Sequence, residues 1–378
     1  MGRRVAIEIR PVTGRRGRSQ FVDVAFRLFG DDPAWVPPLR MSVLDRISPK
    51  NPANEHQVTR LWIAYREGEP VGRIGACVDS FFNEYQGVQW GWVGFFEAAD
   101  DAEAVAALFD VAWRWLKLQG ATTAVGPASF TTNDDIGLLV EGFDDPPYFL
   151  CVHNPPYYEQ HWVANGWEQA MDLWAWKLVR GDIGLDERQR KTLARLRERA
   201  KITIRPMRMK DFDAEVGRLF EVYNAAWSKN WGFAPMPEAE IKHLAKSMKQ
   251  LIDPDLTLVV EKPDGEPVGV AIILPDVNQV MPKLRSGRLL PFGWYHLLRG
   301  VPKVTRVRYF ALGIKPQHQN LALGPIIYQE GLDRLMARSH IVEAEASWIL
   351  ASNDRMNKAI ETLGGTRSRV WRLYQRAL

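Results

Sequence analysis

The sequence predicts a mixed α/β fold, with α+β mixed sheets, built twice along one chain. Three observations predict it. Two segments open alike, with the alternating run Ala6–Arg10 (AIEIR) before Pro11 and Ile202–Arg205 (ITIR) before Pro206. Each half then follows the element order β-α-β-β-β-α-β-α-β. Each half also closes on a short helix, a glycine and a final strand, with Gly166 before Glu168–Val179 and Gly364-Gly365 before Arg367–Gln375. A length of 378 residues suits two domains. We place them at residues 1–182 and 202–378, with a helical linker over 183–201.

The elements follow in order. Helix-like stretches at Ser19–Phe29 and Phe212–Ala225 come after the opening strands. A hairpin follows in each half. In the first, Arg60–Arg66 and Pro70–Asp79 flank Glu67-Gly68-Glu69; in the second, Leu256–Glu261 and Pro267–Leu274 flank Pro263-Asp264-Gly265. Next come a strand, a long helix and a strand, at Trp90–Phe96, Ala102–Gln119 and Thr122–Val125, and again at Arg306–Ile314, Gly324–Ala337 and Ile341–Ala346. Between the halves, Leu185–Lys201 is rich in Arg, Lys and Glu and reads as a solvated helix. Aromatic residues do not interleave with its charges, so it does not read as a nucleic-acid surface.

Composition narrows the function classes. Hydrophobic residues make up 46% and charged residues 25%, the mix of a water-soluble globular chain. The net charge of +4 mildly favours anionic partners. Cys77 and Cys151 are the two cysteines, which gives neither a disulfide framework nor zinc-ligand spacing, and no metal is expected. The apolar run Val268–Leu274 is too short to cross a bilayer, and the basic start MGRRVAIEIRPVTGRRGR lacks the apolar core of a secretory signal. The expectation is a cytoplasmic protein, at most peripheral to the inner face of a membrane.

The most informative stretch is Ala311–Gln329, ALGIKPQHQNLALGPIIYQ. A strand ends at Ile314, a polar loop follows, and a helix opens near Leu323 with Pro325 in its first turn. Unpaired N–H groups and the dipole make such a helix start an anion site. Gln319, Ala322 and Gly324 stand at the spacing Q-x-x-A-x-G. This resembles the pyrophosphate loop of the GNAT (N-acetyltransferase-related) superfamily, Q/R-x-x-G-x-G/A, with Ala322 where Gly is usual. Asn353 and Leu363-Gly364 match the Asn and Leu-Gly of that superfamily's last helix, with Gly365 in place of its Phe. The resemblance implies two tandem GNAT-like acyl-CoA N-acyltransferase domains, with acyl-CoA as donor in the second. It also implies a donor site at Leu312, Gly313, Ile314, Gln319, Asn320, Leu321, Ala322, Leu323, Gly324 and Asn353, the strand N–H groups holding the thioester carbonyl. The Tyr that many GNAT enzymes use to protonate the leaving thiolate is replaced by Ile360. At the equivalent turn of the first half, Asp100 and Glu103 form a capping-box-like pair, so that half is expected not to dock pyrophosphate.

The first half carries the densest polar segments, Gly126–Asp135, Glu141–Asp144 and Cys151–Tyr158. His153, at the end of an apparent strand, is the best-placed base for an attacking amine. Asp134 is an alternative base, and Tyr157 stands beside His153 in the chain. Asn133, Tyr158 and Trp294 are expected at the substrate. The bland alternative is that Asn154 caps a helix, Pro155-Pro156 begin it and His153 packs against it.

Lys283–Arg308 (KLRSGRLLPFGWYHLLRGVPKVTRVR) brackets an apolar centre with basic residues. It suits an interfacial helix at anionic headgroups, or else ordinary core packing. GLLVEGFDDPP, NPPYY, PFGWYHLLRG and the ending SNDRMNKAIETLGG-to-RLYQRAL resemble a group of two-domain bacterial GNAT-like proteins that includes bacterial ceramide synthases. That resemblance implies transfer of a long acyl chain to the amine of a sphingoid base. A small polar amine or amino acid as acceptor, and a non-catalytic acyl-CoA-binding protein, are the alternatives.

Overall fold

The structure, a computed structural model, describes residues 6–321 and 323–378. Its first half holds β1 (Glu8–Pro11), α1 (Gly14–Phe29), α2 (Arg40–Arg46), β2 (Gln57–Arg66), β3 (Glu69–Asp79), α3 (Ser80–Gln86), β4 (Trp90–Ala98), α4 (Ala102–Leu118), β5 (Thr123–Gly126), β6 (Leu138–Glu141), α5 (Tyr157–Ala164) and β7 (Glu168–Val179). There follow α6 (Glu187–Ala200), β8 (Thr203–Pro206), α7 (Phe212–Trp227), α8 (Glu238–Met248), β9 (Thr257–Glu261), β10 (Pro267–Pro275), α9 (Gly293–Gly300), β11 (Arg306–Ile314), α10 (Leu323–Met336), β12 (Glu343–Leu350), α11 (Asp354–Thr362) and β13 (Thr366–Ala377). The repeated order read from sequence is present, with α2, α3, α8, α9 and β6 added to it.

These elements form two compact units. The first takes the chain up to Leu173 together with Val280–Arg299 and Arg369–Leu378; the second takes Trp174–Gln279 and Gly300–Ser368. Both unit boundaries in β7 and β13 fall within a strand, and residues 182 and 202 both lie in the second unit.

In the first unit β1 to β4 pair antiparallel in sequence, and β5 runs parallel to β4. The last strand returns to close this sheet, pairing antiparallel with β5 (Tyr374 opposite Gly126) and with β6. Helix α4 buries Ala104, Val105, Leu108, Phe109, Ala112 and Leu116, an apolar stripe at three- and four-residue spacing. Phe96, Phe109, Trp162, Trp167 and Tyr158 share this core, which is where several of the tryptophans are spent.

The second unit repeats the plan. β8 to β11 pair antiparallel, and β12 runs parallel to β11. Helix α10 buries Leu323, Ile326, Ile327, Tyr328, Leu332 and Leu335. The charged helix α6 is a member of this unit. It buries no residue fully, yet Leu193 and Leu196 pack on the β9–β10–α10 core, and Arg190 and Arg197 pair with Asp333 and Glu330 of α10 at 3.2 and 2.8 Å. The solvated linker expected from composition is therefore a docked helix with a polar outer face.

Candidate active site

In the second unit, β11 and β12 pair only from Arg306 opposite Glu343 to Tyr309 opposite Ala346. Both strands continue, to Ile314 and Leu350, without further pairing to each other. Burial changes at the same point: Val307–Tyr309 and Ala344–Ser347 are buried, whereas Phe310–Leu312 and Trp348–Leu350 are partly exposed. Two central strands thus open a fork to solvent. On its other edge β11 stays paired with β10, where Ile272 lies opposite Ala311 and Ile273 opposite Tyr309, leaving Phe310 as a bulge. Past the bulge, the edge of Ala311–Ile314 that faces the fork pairs with no strand among the described residues, so its backbone N–H groups can meet a ligand.

Beyond Ile314, a 3₁₀ turn spans Pro316–Leu321 and α10 starts at Leu323. Gln319 bends back, its side-chain amide donating to the Ile314 carbonyl at 3.3 Å. A side chain added at Gly324 would meet nothing nearer than the Ile314 Cδ1 at 3.7 Å, so the helix start is open there. At Gly313 an added Cβ would collide with the Trp227 ring, so this glycine lets α7 seat against the strand. Asn353 caps α11, its side chain accepting from the Met356 N–H at 3.2 Å. Ala322 lies outside the described residues, as do the side chains of Asn320 and Leu321. Sequence reasoning missed Arg355. From the first turn of α11 its exposed guanidinium donates to the Gln319 carbonyl at 2.8 Å, which puts a cation at the loop. A basic residue in the first turn of a helix is the signal that could have found it, since it opposes the dipole unless an anion or carbonyl compensates. Ile360, where the sequence lacks the expected Tyr, is fully buried in the core between α10 and β12.

The first unit has the same strand arrangement with a different outcome. β4 and β5 pair from Trp90 opposite Thr123 to Trp92 opposite Val125. Past that point the chain stays on β4: the Ala128 N–H donates to the Val93 carbonyl at 2.8 Å, and the Phe95 N–H to Ser129 Oγ at 3.3 Å. Gly94 lies so close to Ala128 that a Cβ would strike its carbonyl. The start of α4 is occupied too. Its cap is Asp101, not Asp100 as the sequence suggested; the Asp101 carboxylate accepts from the Glu103 and Ala104 N–H groups at 3.1 Å each. Arg66 binds Asp101 and Glu103, and His161 holds Asp100 at 2.8 Å. The reason for the shift is that capping needs the residue just before the first turn, which here is Asp101.

The other site residues expected from sequence all fall in the first unit. His153 stands in the loop before α5 rather than at a strand end. The residue is partly buried and its side chain largely so, with Nε2 at 3.5 Å from the Asp32 carboxylate. Burial lowers its pKa from the usual imidazole range, and Asp32 partly offsets the shift. Asn154 does not cap α5. It braces β6 instead, accepting from the Leu139 N–H at 2.7 Å and donating to the Leu139 carbonyl at 3.2 Å. The Tyr157 hydroxyl donates to the Ala98 carbonyl at 2.9 Å, and burial followed by the Asp100 charge pushes its pKa up to about 12. The Tyr158 hydroxyl accepts from the Ala98 N–H at 2.7 Å deep in the core, so both tyrosines tie α5 to the end of β4. Asp134 accepts from the Phe130 N–H, the Thr131 hydroxyl and Arg46 at 3.1–3.2 Å, which closes its loop; the Asn133 N–H donates to Thr131 Oγ1 at 3.1 Å within the same loop.

Trp294 lies on α9, in the part of the basic-flanked insert that belongs to the first unit. Arg40 holds this insert through the Ser286 and Gly287 carbonyls at 2.6 and 2.9 Å. Gly287 adopts φ +65°, and a Cβ there would sit 2.5 Å from both the Phe26 ring and the Pro38 carbonyl, so only glycine fits. The helix and the segment leading into it carry apolar residues outward. Among the described residues, five of the twelve exposed large apolar side chains are Leu290, Phe292, Trp294, Tyr295 and Leu298. No helix among the described residues is long and apolar enough to cross a membrane.

No protein-family model matches the chain. Two curated proteins match along its full length. The chain is 38% identical over 380 residues to the bacterial ceramide synthase of Caulobacter vibrioides, covering 98% of each protein. It is 34% identical over 375 residues to protein YghO of Escherichia coli, covering 98% of this chain and 95% of that one. Among solved structures, a tandem GNAT protein from the clavulanic acid biosynthesis pathway aligns over 98% of both chains, with a TM-score of 0.57 at 12% identity. A GCN5-related N-acetyltransferase from Sphaerobacter thermophilus aligns over 100% of this chain and 96% of that one, with a TM-score of 0.51 at 12% identity. With a mixed sheet in each unit, a repeated strand fork and these relatives, the chain belongs to the tandem GNAT-fold N-acyltransferase family that includes bacterial ceramide synthase and YghO.

Proposed function

We propose that the fork between β11 and β12 is the acyl-transfer site, and that the enzyme moves a long acyl chain from acyl-CoA to the amine of a sphingoid base. One observation carries the site: the two strands separate after Tyr309 and Ala346, and the next helix begins with an open N-terminus at Leu323–Gly324. The pyrophosphate sits on the turn at Gln319 and the start of α10, where backbone N–H groups and the helix dipole favour an anion, with Arg355 adding a charge. The thioester carbonyl accepts from backbone N–H groups of Leu312–Ile314, which stabilise the oxyanion of the tetrahedral intermediate. The first unit serves as scaffold, because its fork is filled by Ala128–Ser129 and its helix start by Asp101. The 38% identical relative named bacterial ceramide synthase supports the sphingoid acceptor.

The outward apolar face of α9 supports contact with an anionic bilayer, through which both greasy substrates arrive. Leu290, Phe292, Trp294, Tyr295 and Leu298 supply the inserting face, and Lys283, Arg285, Arg288, Arg299 and Lys303 flank it. Each basic residue close to such a surface contributes about 1 kcal/mol.

The test is mass spectrometry of products after incubation with acyl-CoAs of several lengths and a long-chain base, with thiol release followed in parallel. The expected product is the long-chain N-acyl base. Thiol release with small polar amines but none with the long base would refute the acceptor assignment. CoA binding with no thiol release across the amine panel would make the chain a binder.

A further inference from the structure

At the apex of the second unit's fork, three polar side chains are buried where an apolar core would be the ordinary choice. Arg308 and Glu345 stand directly opposite each other on β11 and β12, and Ser347 is the next residue of β12 on the same face. Their exposures are 1%, 0% and 3%. The Ser347 hydroxyl donates to Glu345 Oε1 at 2.8 Å and accepts from Arg308 Nε at 2.9 Å, while the Arg308 guanidinium also donates to the Ser347 carbonyl at 3.0 Å. The guanidinium lies 4.9 Å from the Trp348 ring centre and 5.4 Å from that of Phe310, both on the strands just past the paired stretch. Burying two charges is expensive, and well-packed apolar residues in their place are often as stable or more so. Such a cluster therefore points to use, and it sits where the sheet opens.

We propose that Ser347, backed by Glu345, takes the proton from the acceptor amine, with Arg308 holding both in position. This rests on the fork being the acyl-transfer site. The amine arrives as an ammonium. One N–H proton passes to Ser347 Oγ as the Ser347 hydroxyl proton passes to Glu345 Oε1. The freed nitrogen lone pair forms the C–N bond to the thioester carbon, and the carbon–sulfur bond breaks with its electrons on sulfur. The thiolate takes the second proton from nitrogen, and Glu345 returns its proton to solvent. Ile360 in the place of a hydroxyl-bearing acid is compatible with this, because the leaving thiolate draws its proton from the nucleophile.

The experiment compares two acceptors of equal chain length, a primary alkylamine and an O-alkylhydroxylamine, whose weakly basic nitrogen carries no proton near neutrality. Glu345→Gln keeps an acceptor for the Ser347 hydroxyl but cannot take its proton at neutral pH. Ser347→Ala leaves both buried charges in place and serves if Glu345→Gln does not fold. Turnover of the alkylamine is expected to fall by about 10²–10⁴-fold, while turnover of the O-alkylhydroxylamine stays close to wild type. Equal losses on both acceptors would overturn the proposal by making the cluster framework alone. Unchanged turnover on both, with the selective loss appearing in His153→Ala, would overturn it in favour of that histidine. If Gly324→Asp leaves CoA binding and turnover intact, the fork is not the donor site and the acyl-transfer reading fails first.

Discussion

Placing one negative charge at Gly324 should separate donor binding from folding. The position is suited to the test because it tolerates a side chain: the added Cβ meets only Ile314 Cδ1, at 3.7 Å. An aspartate in the first turn of α10 even suits the helix, since acidic groups near an N-terminus contribute about 0.3–1 kcal/mol. The diphosphate of CoA would meet the same carboxylate at close range. Two like charges about 5 Å apart, at an effective dielectric near 20, repel by about 3 kcal/mol. That is roughly a hundredfold in Kd. Calorimetric titration with CoA should therefore show binding weakened by about two orders of magnitude in Gly324→Asp, little change in Gly324→Ala, and a smaller gap at high salt. If Gly324→Asp unfolds at the wild-type temperature and binds CoA as wild type does, the pyrophosphate does not lie on α10.

Arg355→Ala should weaken CoA by about 1.5–3 kcal/mol if its guanidinium meets a phosphate, with no change in melting temperature, because the side chain is exposed. Gly313→Ala would force its methyl into the Trp227 ring, and overpacking of this kind costs about 1–3 kcal/mol, read as a lower unfolding midpoint. Trp294→Ala with Leu298→Ala should reduce flotation with anionic vesicles and long-chain turnover together, and unchanged values would make α9 an ordinary surface helix. For His153 the folded pKa lies below the unfolded one, so between the two the unfolded chain binds more protons. Its contribution is complete above the ordinary imidazole pKa and is lost as pH falls below it. Wild type should thus lose stability on acidification through that range more steeply than His153→Asn, measured by thermal unfolding.

The elements on which the donor site is proposed were legible because their signals are local. A strand, a polar turn and a helix start lie within nineteen residues at Ala311–Gln329, and the periodicity of β11 and α10 is unambiguous. The closed fork of the first unit was half legible. Carboxylates before α4 announced an occupied helix start, although the choice between Asp100 and Asp101 needed the backbone. Ala128–Ser129 lying along β4 was not readable, because nothing in a Gly-Pro-Ala-Ser run says which strand it follows. The polar–aromatic run Cys151–Tyr158 looked catalytic on composition, yet Asn154, Tyr157 and Tyr158 spend their polar atoms on the backbone of Leu139 and Ala98. The Arg308–Glu345–Ser347 cluster was invisible for the opposite reason. Its members alternate with apolar residues on two strands, so each alone looks like an outward-facing position, and only the register brings them together.

The return of β13 to the first unit has a consequence for how the protein is made. β5 has β4 on one side and β13 on the other, and β13 is synthesised only after the whole second half that precedes it. Val280–Arg299, which Arg40 anchors, is also synthesised a hundred residues or more after the first half. While the second half is being translated, the emerged first half therefore holds an unpaired strand edge, the kind of surface that templates wrong pairings. A fragment ending near residue 182 should remain in that condition permanently, whatever its own core can bury. Emergence of β13, and not completion of the first half, sets the moment at which this sheet can close.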